Sequence, residues 1–248
     1  DRVGLRFAEA LGVAHRRGCQ VRVLVDDAGL RYSFPSIMGV LRARSVKAAR
    51  FMPAGLRTIP YINLRTHRKI LVVDGMLAFT GGINIREGHE LALKARYPVR
   101  DLHFSVRGPV VEHLMHVFAD DWMYTTGERL EGSDWFSGNP DEGSARARVI
   151  PDGPDEDFDK LRWAFLGGIA AARRRLIVVT PYFLPDETLM TALIGASYRG
   201  VEVDVLVPER VNLPYVQWAM WGQFLPVVEA CRVHLSPPPF DHTKLMLV

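Results

Sequence analysis

Arg17-Gly18-Cys19-Gln20-Val21-Arg22-Val23-Leu24-Val25 returns late in the chain as Arg199-Gly200-Val201-Glu202-Val203-Asp204-Val205-Leu206-Val207, identical at six of nine positions. Each copy follows a helix-like stretch, residues 7–15 and 189–198, that stops at Gly and continues as an alternating β-branched strand. A helix, a glycine stop and an apolar strand met twice predict a duplicated α/β unit. Working outward, the first copy continues as a helix over 35–44, a strand over 46–51, a strand over 69–73, a turn at Gly75 and a strand over 77–80. A strand is expected over 101–106, and Pro109 opens a helix to about 124 with Val111, Leu114, Phe118 and Trp122 on one face. The Gly/Asp/Ser-rich stretch 127–143 divides the chain into 1–143 and 144–248. The second part is predicted as a strand over 146–150, a helix over 155–172, a buried strand over 176–181 and a helix opened by Pro185. The first copy lacks a counterpart of Leu176-Ile177-Val178-Val179, a strand expected to precede Asp1 in a longer parent. Repeated helix–strand alternation predicts mixed sheets covered by helices.

The 248 residues are 48% hydrophobic and 24% charged, which excludes disorder and fibrous classes and allows a sizeable core. Cys19 and Cys231 are too few for a disulfide framework or a zinc site and point to a reducing compartment. No run reaches the roughly 18 apolar residues of a spanning helix. The chain starts without Met and ends in an apolar run, so it reads as a fragment, with any upstream signal or anchor left open. Residues 1–74 hold 14 Lys+Arg against 5 Asp+Glu, net +9, and the remainder is net −6. The first third should attract phosphate-bearing partners: nucleic acid, a phospholipid surface or a small phosphoester.

His67-Arg68-Lys69 through Asp74, continued by Gly81-Gly82-Ile83-Asn84, has the form H-x-K-x4-D-x6-G-G-x-N. A lone H-x-K is expected by chance about 0.2 times, whereas the long form is expected on the order of 10⁻⁵ times. On a strand, His67 and Lys69 would share one face, and Asn84 could add amide donors after the Gly-Gly turn. The chain ends on a second copy of the pattern's start, His242-Thr243-Lys244 followed by an apolar run. An imidazole pair suits phosphodiester exchange, since one neutral ring can attack phosphorus and one protonated ring can donate to the leaving oxygen.

The two H-x-K segments, with the duplication, resemble the phospholipase D superfamily. Within it, the chain resembles the cardiolipin synthase branch through Asn63-Leu64-Arg65 ahead of Thr66-His67, Phe79 to Asn84, Arg100-Asp101-Leu102-His103, Gly108-Pro109-Val110-Val111, Asp121-Trp122, Gly153-Pro154-Asp155 and Thr180-Pro181-Tyr182-Phe183-Leu184-Pro185-Asp186. The resemblance implies a duplicated phospholipase D-like α/β/α sandwich, two pseudo-twofold-related mixed sheets flanked by helices, whose two motifs build one active site. It implies that His67 is the nucleophile, forming a phosphohistidine, and that His242 is the general acid and base. Lys69, Lys244 and Asn84 would hold the phosphoryl oxygens, with no metal and no cofactor. Asp101 takes the place of the carboxylate that fixes the other nitrogen of His67. Asp74, five residues past Lys69 and on the opposite strand face, receives a structural or indirect role. Ser45 stands where the family segment Leu-Arg-x-x-Gly-Val carries Gly.

The implied activity is phosphatidyl transfer to the alcohol of phosphatidylglycerol. The implied partner is anionic phospholipid at a membrane surface, with no nucleic acid, and the implied location is peripheral at the cytoplasmic face. Hydrolysis as a phospholipase D, a superfamily nuclease or phosphodiesterase, and a non-catalytic scaffold are the alternatives. Two further features have plain readings. Glu112, His113 and His116 read as a solvated helix face rather than a metal site. The charge-free stretch 211–228, with Trp218, Trp221 and Leu225 at helical spacing, reads first as a core helix and second as an interfacial element.

Overall fold

The computed structural model describes residues 1–30, 36–53, 66–152 and 159–248. The sequence landmarks Asn63 to Arg65 and Gly153 to Asp155, and the expected helix start at Pro35, lie outside these residues. Two compact units emerge: residues 1–87 with 103–149, and residues 88–102 with 150–248. The second unit thus combines the segment 88–102 with the chain from residue 150 onward.

In the first unit, helix α1 (Arg2–Arg16) is capped by Asp1, whose carboxylate accepts from Gly4 N. It leads into β1 (Arg22–Asp26), the short α2 (Asp27–Leu30), α3 (Ile37–Arg42) and β2 (Lys47–Phe51). Strand β1 pairs parallel with β2, Leu24 opposite Ala49. Then come β3 (Ile70–Val73) and β4 (Leu77–Gly81); β5 (Val99–Arg100) joins the second unit, and the chain returns as β6 (His103–Arg107) and α4 (Val110–Thr126). Strands β3, β4 and β6 form an antiparallel sheet. Alternation puts Val21 and Val23 against α1 and α3 around Ala8 and Leu41, while Leu24, Ala49 and Val72 meet Met115, Ala119 and Trp122 of α4. The strands β1 and β2 are thus covered on both faces.

The turn between β3 and β4 needs its glycine. Gly75 has φ 65, and a Cβ there would sit 2.9 Å from Ser137 Oγ; Asn139 Nδ2 donates to the Gly75 carbonyl at 2.6 Å. The loop after α4 is moored by these contacts. Expected as a strand, 146–150 forms no ladder; its alternation is used for packing, with Val149 turned onto the Ala78–Val111–Leu114 cluster.

In the second unit, α5 (Lys160–Ala171), β7 (Arg175–Val179), α6 (Glu187–Tyr198), β8 (Glu202–Pro208), α7 (Pro214–Ala230), β9 (Arg232–Ser236), β10 (Phe240–Asp241) and β11 (Leu245–Leu247) follow in order. The sheet runs β11-β7-β8-β9, with β7, β8 and β9 parallel and β11 antiparallel to β7. Val203, Val205 and Val207 of β8 share one face with Ile169, Leu193 and Met220 from the three helices. The other face holds Asp204, side chain 3% exposed, which accepts from Arg175, Arg232 and His234. A buried carboxylate persists only when paired in this way. Arg232 foremost, then His234 and Arg175, hold it below the usual carboxylate range.

The duplication is legible in this topology: β8 and β9 match β1 and β2, and β11 matches β3. Strand β7 lies between β11 and β8, whereas among the described residues no strand joins β3 to β1. Helix α7 differs from the core helix expected: Met220 and Val227 are buried, but Trp218, Trp221 and Leu225 are exposed.

Two stability predictions follow from local chemistry. Ser45 has φ 58, the left-handed conformation that the sequence pattern reserved for Gly, so Ser45→Gly should stabilise the first unit by about 0.5–1 kcal/mol in urea unfolding. Glu128 accepts from Arg22 at 2.6 Å, Lys47 at 2.9 Å and Trp122 Nε1 at 2.7 Å, and these bonds, Arg22 foremost, hold its carboxyl at about 2 against 4.5. Its folded pKa is depressed, so its contribution is complete above pH 4.5 and is lost as pH falls from 4.5 to about 2. Glu128→Gln should flatten the melting temperature against pH across that window.

Candidate active site

Each H-x-K segment lies immediately ahead of a strand rather than inside it: residues 67–69 precede β3, and 242–244 precede β11. In both, the lysine curls back onto the histidine two residues earlier. Lys69 Nζ donates to the His67 carbonyl at 2.6 Å, and Lys244 Nζ donates to the His242 carbonyl at 3.0 Å. The expectation that strand alternation alone aligns imidazole and ammonium is replaced by this hydrogen-bonded loop. The same local geometry in two units is the structural form of the sequence repeat.

In the first unit, the residue between His67 and Lys69 anchors the loop. Arg68 Nη1 donates to Asp121 Oδ1 at 2.5 Å, with both side chains mostly buried. Asp121 is thereby a positioning residue on α4, and Trp122 beside it is fully buried. The hairpin pairs Ile70 with Thr80, so its open end carries both the His67 loop and the segment after Gly81 that leads to Asn84. Asn84 is exposed there. Asp74 is at the other end of β3, exposed in the left-handed turn with φ 53. Four residues of strand separate its level from Ile70, about 13 Å at 3.3 Å per residue. Asp74 therefore shapes the turn and does not join the loop of His67 and Lys69.

In the second unit, His242 is held on several sides. Its Nδ1 lies 2.8 Å from Asp101 Oδ2, with the Asp101 side chain 1% exposed. The other oxygen, Oδ1, accepts from Leu102 N at 2.8 Å. A carboxylate only accepts, so the proton between Asp101 and His242 sits on Nδ1, while Lys244 Nζ lies 3.1 Å from Nδ1 as well as 3.0 Å from Nε2. The rings of Tyr182, Phe240 and His89 stand 6.0–6.4 Å from that of His242.

This corrects the role expected of Asp101. The family resemblance assigns it to His67, on the next predicted strand of the first half. Instead the chain crosses into the second unit, where β5 pairs parallel with β10, Val99 opposite Phe240 and Arg100 opposite Asp241. His242 N donates to the Arg100 carbonyl at 2.8 Å, and Arg100 Nη2 donates to the Pro237 carbonyl at 2.5 Å. A two-residue strand leaves no periodic trace, so sequence patterning could not reveal this pairing. Sequence reasoning also missed Tyr182, Phe240 and His89 as neighbours of His242; only Tyr182 carried a signal, within the quoted Thr180–Asp186 segment.

Glu112 and His116 form an exposed i,i+4 pair at 3.8 Å, and among the described residues no group of three or more His, Cys, Asp or Glu side chains could hold a metal.

A family model described as "Cardiolipin synthase, PLD-like domain" matches residues 4–122 and 166–248, and the chain belongs to that family. A cardiolipin synthase of Geobacillus kaustophilus is 35% identical across the whole chain, which covers 50% of that protein. The major cardiolipin synthase ClsA of Bacillus subtilis is 28% identical, with 52% of its length covered. The chain thus spans about half the length of the curated relatives it matches. Among solved structures, phosphatidylserine synthase from Haemophilus influenzae superposes with TM-score 0.55 at 13% identity, covering 99% of this chain and 74% of that one. Its likeness supports the mixed α/β, phospholipase D-like fold.

Asp101→Asn tests the tautomer assignment. The Leu102 N–H keeps the amide oxygen on its side, so the amide nitrogen faces Nδ1 and demands a lone pair there. The ring proton should move to Nε2, and nitrogen-15 NMR of His242 should show the two ring signals exchange their protonation pattern with the fold intact. Unchanged ring signals would remove Asp101 from this role.

Proposed function

We propose that the chain supplies the catalytic residues of a phosphatidyl transfer of the cardiolipin synthase type. The observation that carries this reading is the paired H-x-K geometry, with one imidazole locked by a buried carboxylate. Family membership and the names of the relatives support the substrate class.

The first step forms a bond from a ring nitrogen of His67 to the phosphorus of a phospholipid. The P–O bond to the head-group alcohol breaks as His242, in its protonated state, donates from Nε2 to the leaving oxygen. The products are a phosphatidyl-His67 phosphoramidate and a free alcohol. In the second step an acceptor hydroxyl attacks the same phosphorus, its proton passes to the now neutral Nε2 of His242, and His67 leaves. Asp101 stabilises the imidazolium in the protonated phase and fixes the ring in the neutral one. Lys69 and Lys244 offset charge on the non-bridging oxygens, and Asn84 adds amide donors. With phosphatidylglycerol as donor and acceptor, the products are cardiolipin and glycerol.

An anionic phospholipid at a membrane surface is the partner in this reading, met at the cytoplasmic face. Among the described residues no helix is long and apolar enough to cross a membrane, and the net +9 of residues 1–74 would favour an anionic surface.

Incubation with phosphatidylglycerol in mixed micelles should yield cardiolipin and glycerol in equal amounts. Phosphatidic acid alone would make water the acceptor, and no lipid product would refute the lipid reading. His67→Ala should lower turnover by on the order of 10⁴-fold or more, as expected for loss of a nucleophile. His242→Ala should lower it by on the order of 10²–10⁴-fold, the span of general acid–base catalysis. Because lysine ammonium groups are assigned the phosphoryl charge, EDTA should leave the rate unchanged.

A further inference from the structure

Helix α7 is free of charge over most of its length. Residues 211–228 contain no Asp, Glu, Lys or Arg. One face is used by the core, where Met220 and Val227 are buried and Val216 and Phe224 pack beside them. The opposite face presents Trp218, Trp221 and Leu225, 67%, 58% and 68% exposed, flanked by exposed Tyr215 and Val228. Spacings of three and four residues align these side chains in one stripe. Single exposed apolar residues need no explanation, but a contiguous stripe rich in tryptophan marks a surface that is covered in use.

The stripe begins at the candidate chemistry. Asn212, two residues ahead of Pro214 at the start of α7, accepts a hydrogen bond from Tyr182 Oη at 2.8 Å. The Tyr182 ring stands edge-on to His242 at 6.1 Å. From that end the helix runs about 25 Å, at 1.5 Å rise per residue. A phospholipid whose phosphate reaches His242 would therefore leave the rest of its bilayer alongside α7.

We propose that the stripe of Tyr215, Trp218, Trp221, Leu225 and Val228 is a bilayer-docking face that lies at the head-group boundary of a phospholipid membrane. It rests on the phosphatidyl-transfer reading, since a lipid substrate is what brings a bilayer to His242. The absence of charge along the face is the argument for a bilayer as its occupant. The exposed charges Glu209, Arg210, Glu229 and Arg232 are confined to the two ends of the stretch, leaving a charge-free face suited to the acyl boundary, where a charge would be costly. Tyrosine and tryptophan add an apolar body with one polar tip, the chemistry enriched at membrane–water interfaces.

The test uses the full chain with vesicles of phosphatidylcholine and phosphatidylglycerol in equal amounts, read by co-sedimentation and by tryptophan emission. The protein should sediment with the vesicles and its emission should shift to the blue. The double variant Trp218→Ser, Trp221→Ser should lower the partition coefficient about tenfold or more. The pair Leu225→Ser, Val228→Ser lowers it independently of tryptophan, and circular dichroism melts confirm that both variants fold. Unchanged partition in both folded variants would overturn the proposal. So would loss of self-association in sedimentation velocity with vesicle binding retained, which would make the stripe a contact between copies. Stripe-dependent binding without lipid turnover would support the docking face and count against the transfer reading. Turnover of monomeric short-chain phosphatidylglycerol by a protein that ignores vesicles would overturn the docking face and leave the transfer reading standing.

Discussion

A two-residue parallel pairing, Val99–Arg100 against Phe240–Asp241, sets the chemistry of the second unit. It draws a segment that follows the first H-x-K motif into the fold that carries the second one. Asp101 enters with it and becomes a buried carboxylate that must find donors or be very costly. It finds Leu102 N and His242 Nδ1. The requirement works in both directions: the imidazole fixes the carboxylate, and the carboxylate fixes the ring orientation and tautomer. Arg100, bonded to the Pro237 carbonyl, keeps the two strands in register.

The duplicated motif solves a different problem in the same way twice. A lysine two residues after a histidine could swing freely, yet in both loops its ammonium is drawn onto the histidine carbonyl. The flanking anchors are not the same. Arg68 ties the first loop to Asp121 of α4, whereas Thr243 is buried in the second and its N–H donates to Asp241. The motif therefore carries its own local geometry, and each unit holds it in place with whatever side chains its surroundings provide.

What the sequence could reveal follows from the range of its signals. The helix–glycine–strand repeat announced β1 and β8 because alternation and a glycine stop are local. The H-x-K residues were equally legible, their spacing being fixed along a single stretch. The left-handed turn at Ser45 was visible as a serine in a glycine's place, and φ 58 bears it out. The partner of Asp101 was hidden because it depends on a crossing between units made by two residues. The strand expected over 146–150 failed for a related reason: Val149 found a core while its backbone found no neighbour. Alternation reports which side chains turn inward, and says nothing about whether another strand lies alongside.

Helix α7 shows the same distinction on a helical scale. Apolar spacing at 218, 221 and 225 is correct as a stripe, but its placement is a tertiary outcome. The core of the second unit needs one face of α7, and Met220 and Val227 already fill it. The opposite stripe is then left to whatever the protein meets outside. A soluble helix with that surplus would ordinarily carry charges there to remain solvated. Here the charges stop at the ends of the stretch, and the nearer end leads through Asn212 and Tyr182 to the ring of His242. The exposed stripe and the His242 ring thus belong to one folded unit, and under the proposed transfer of lipid this arrangement would shorten the path of the substrate.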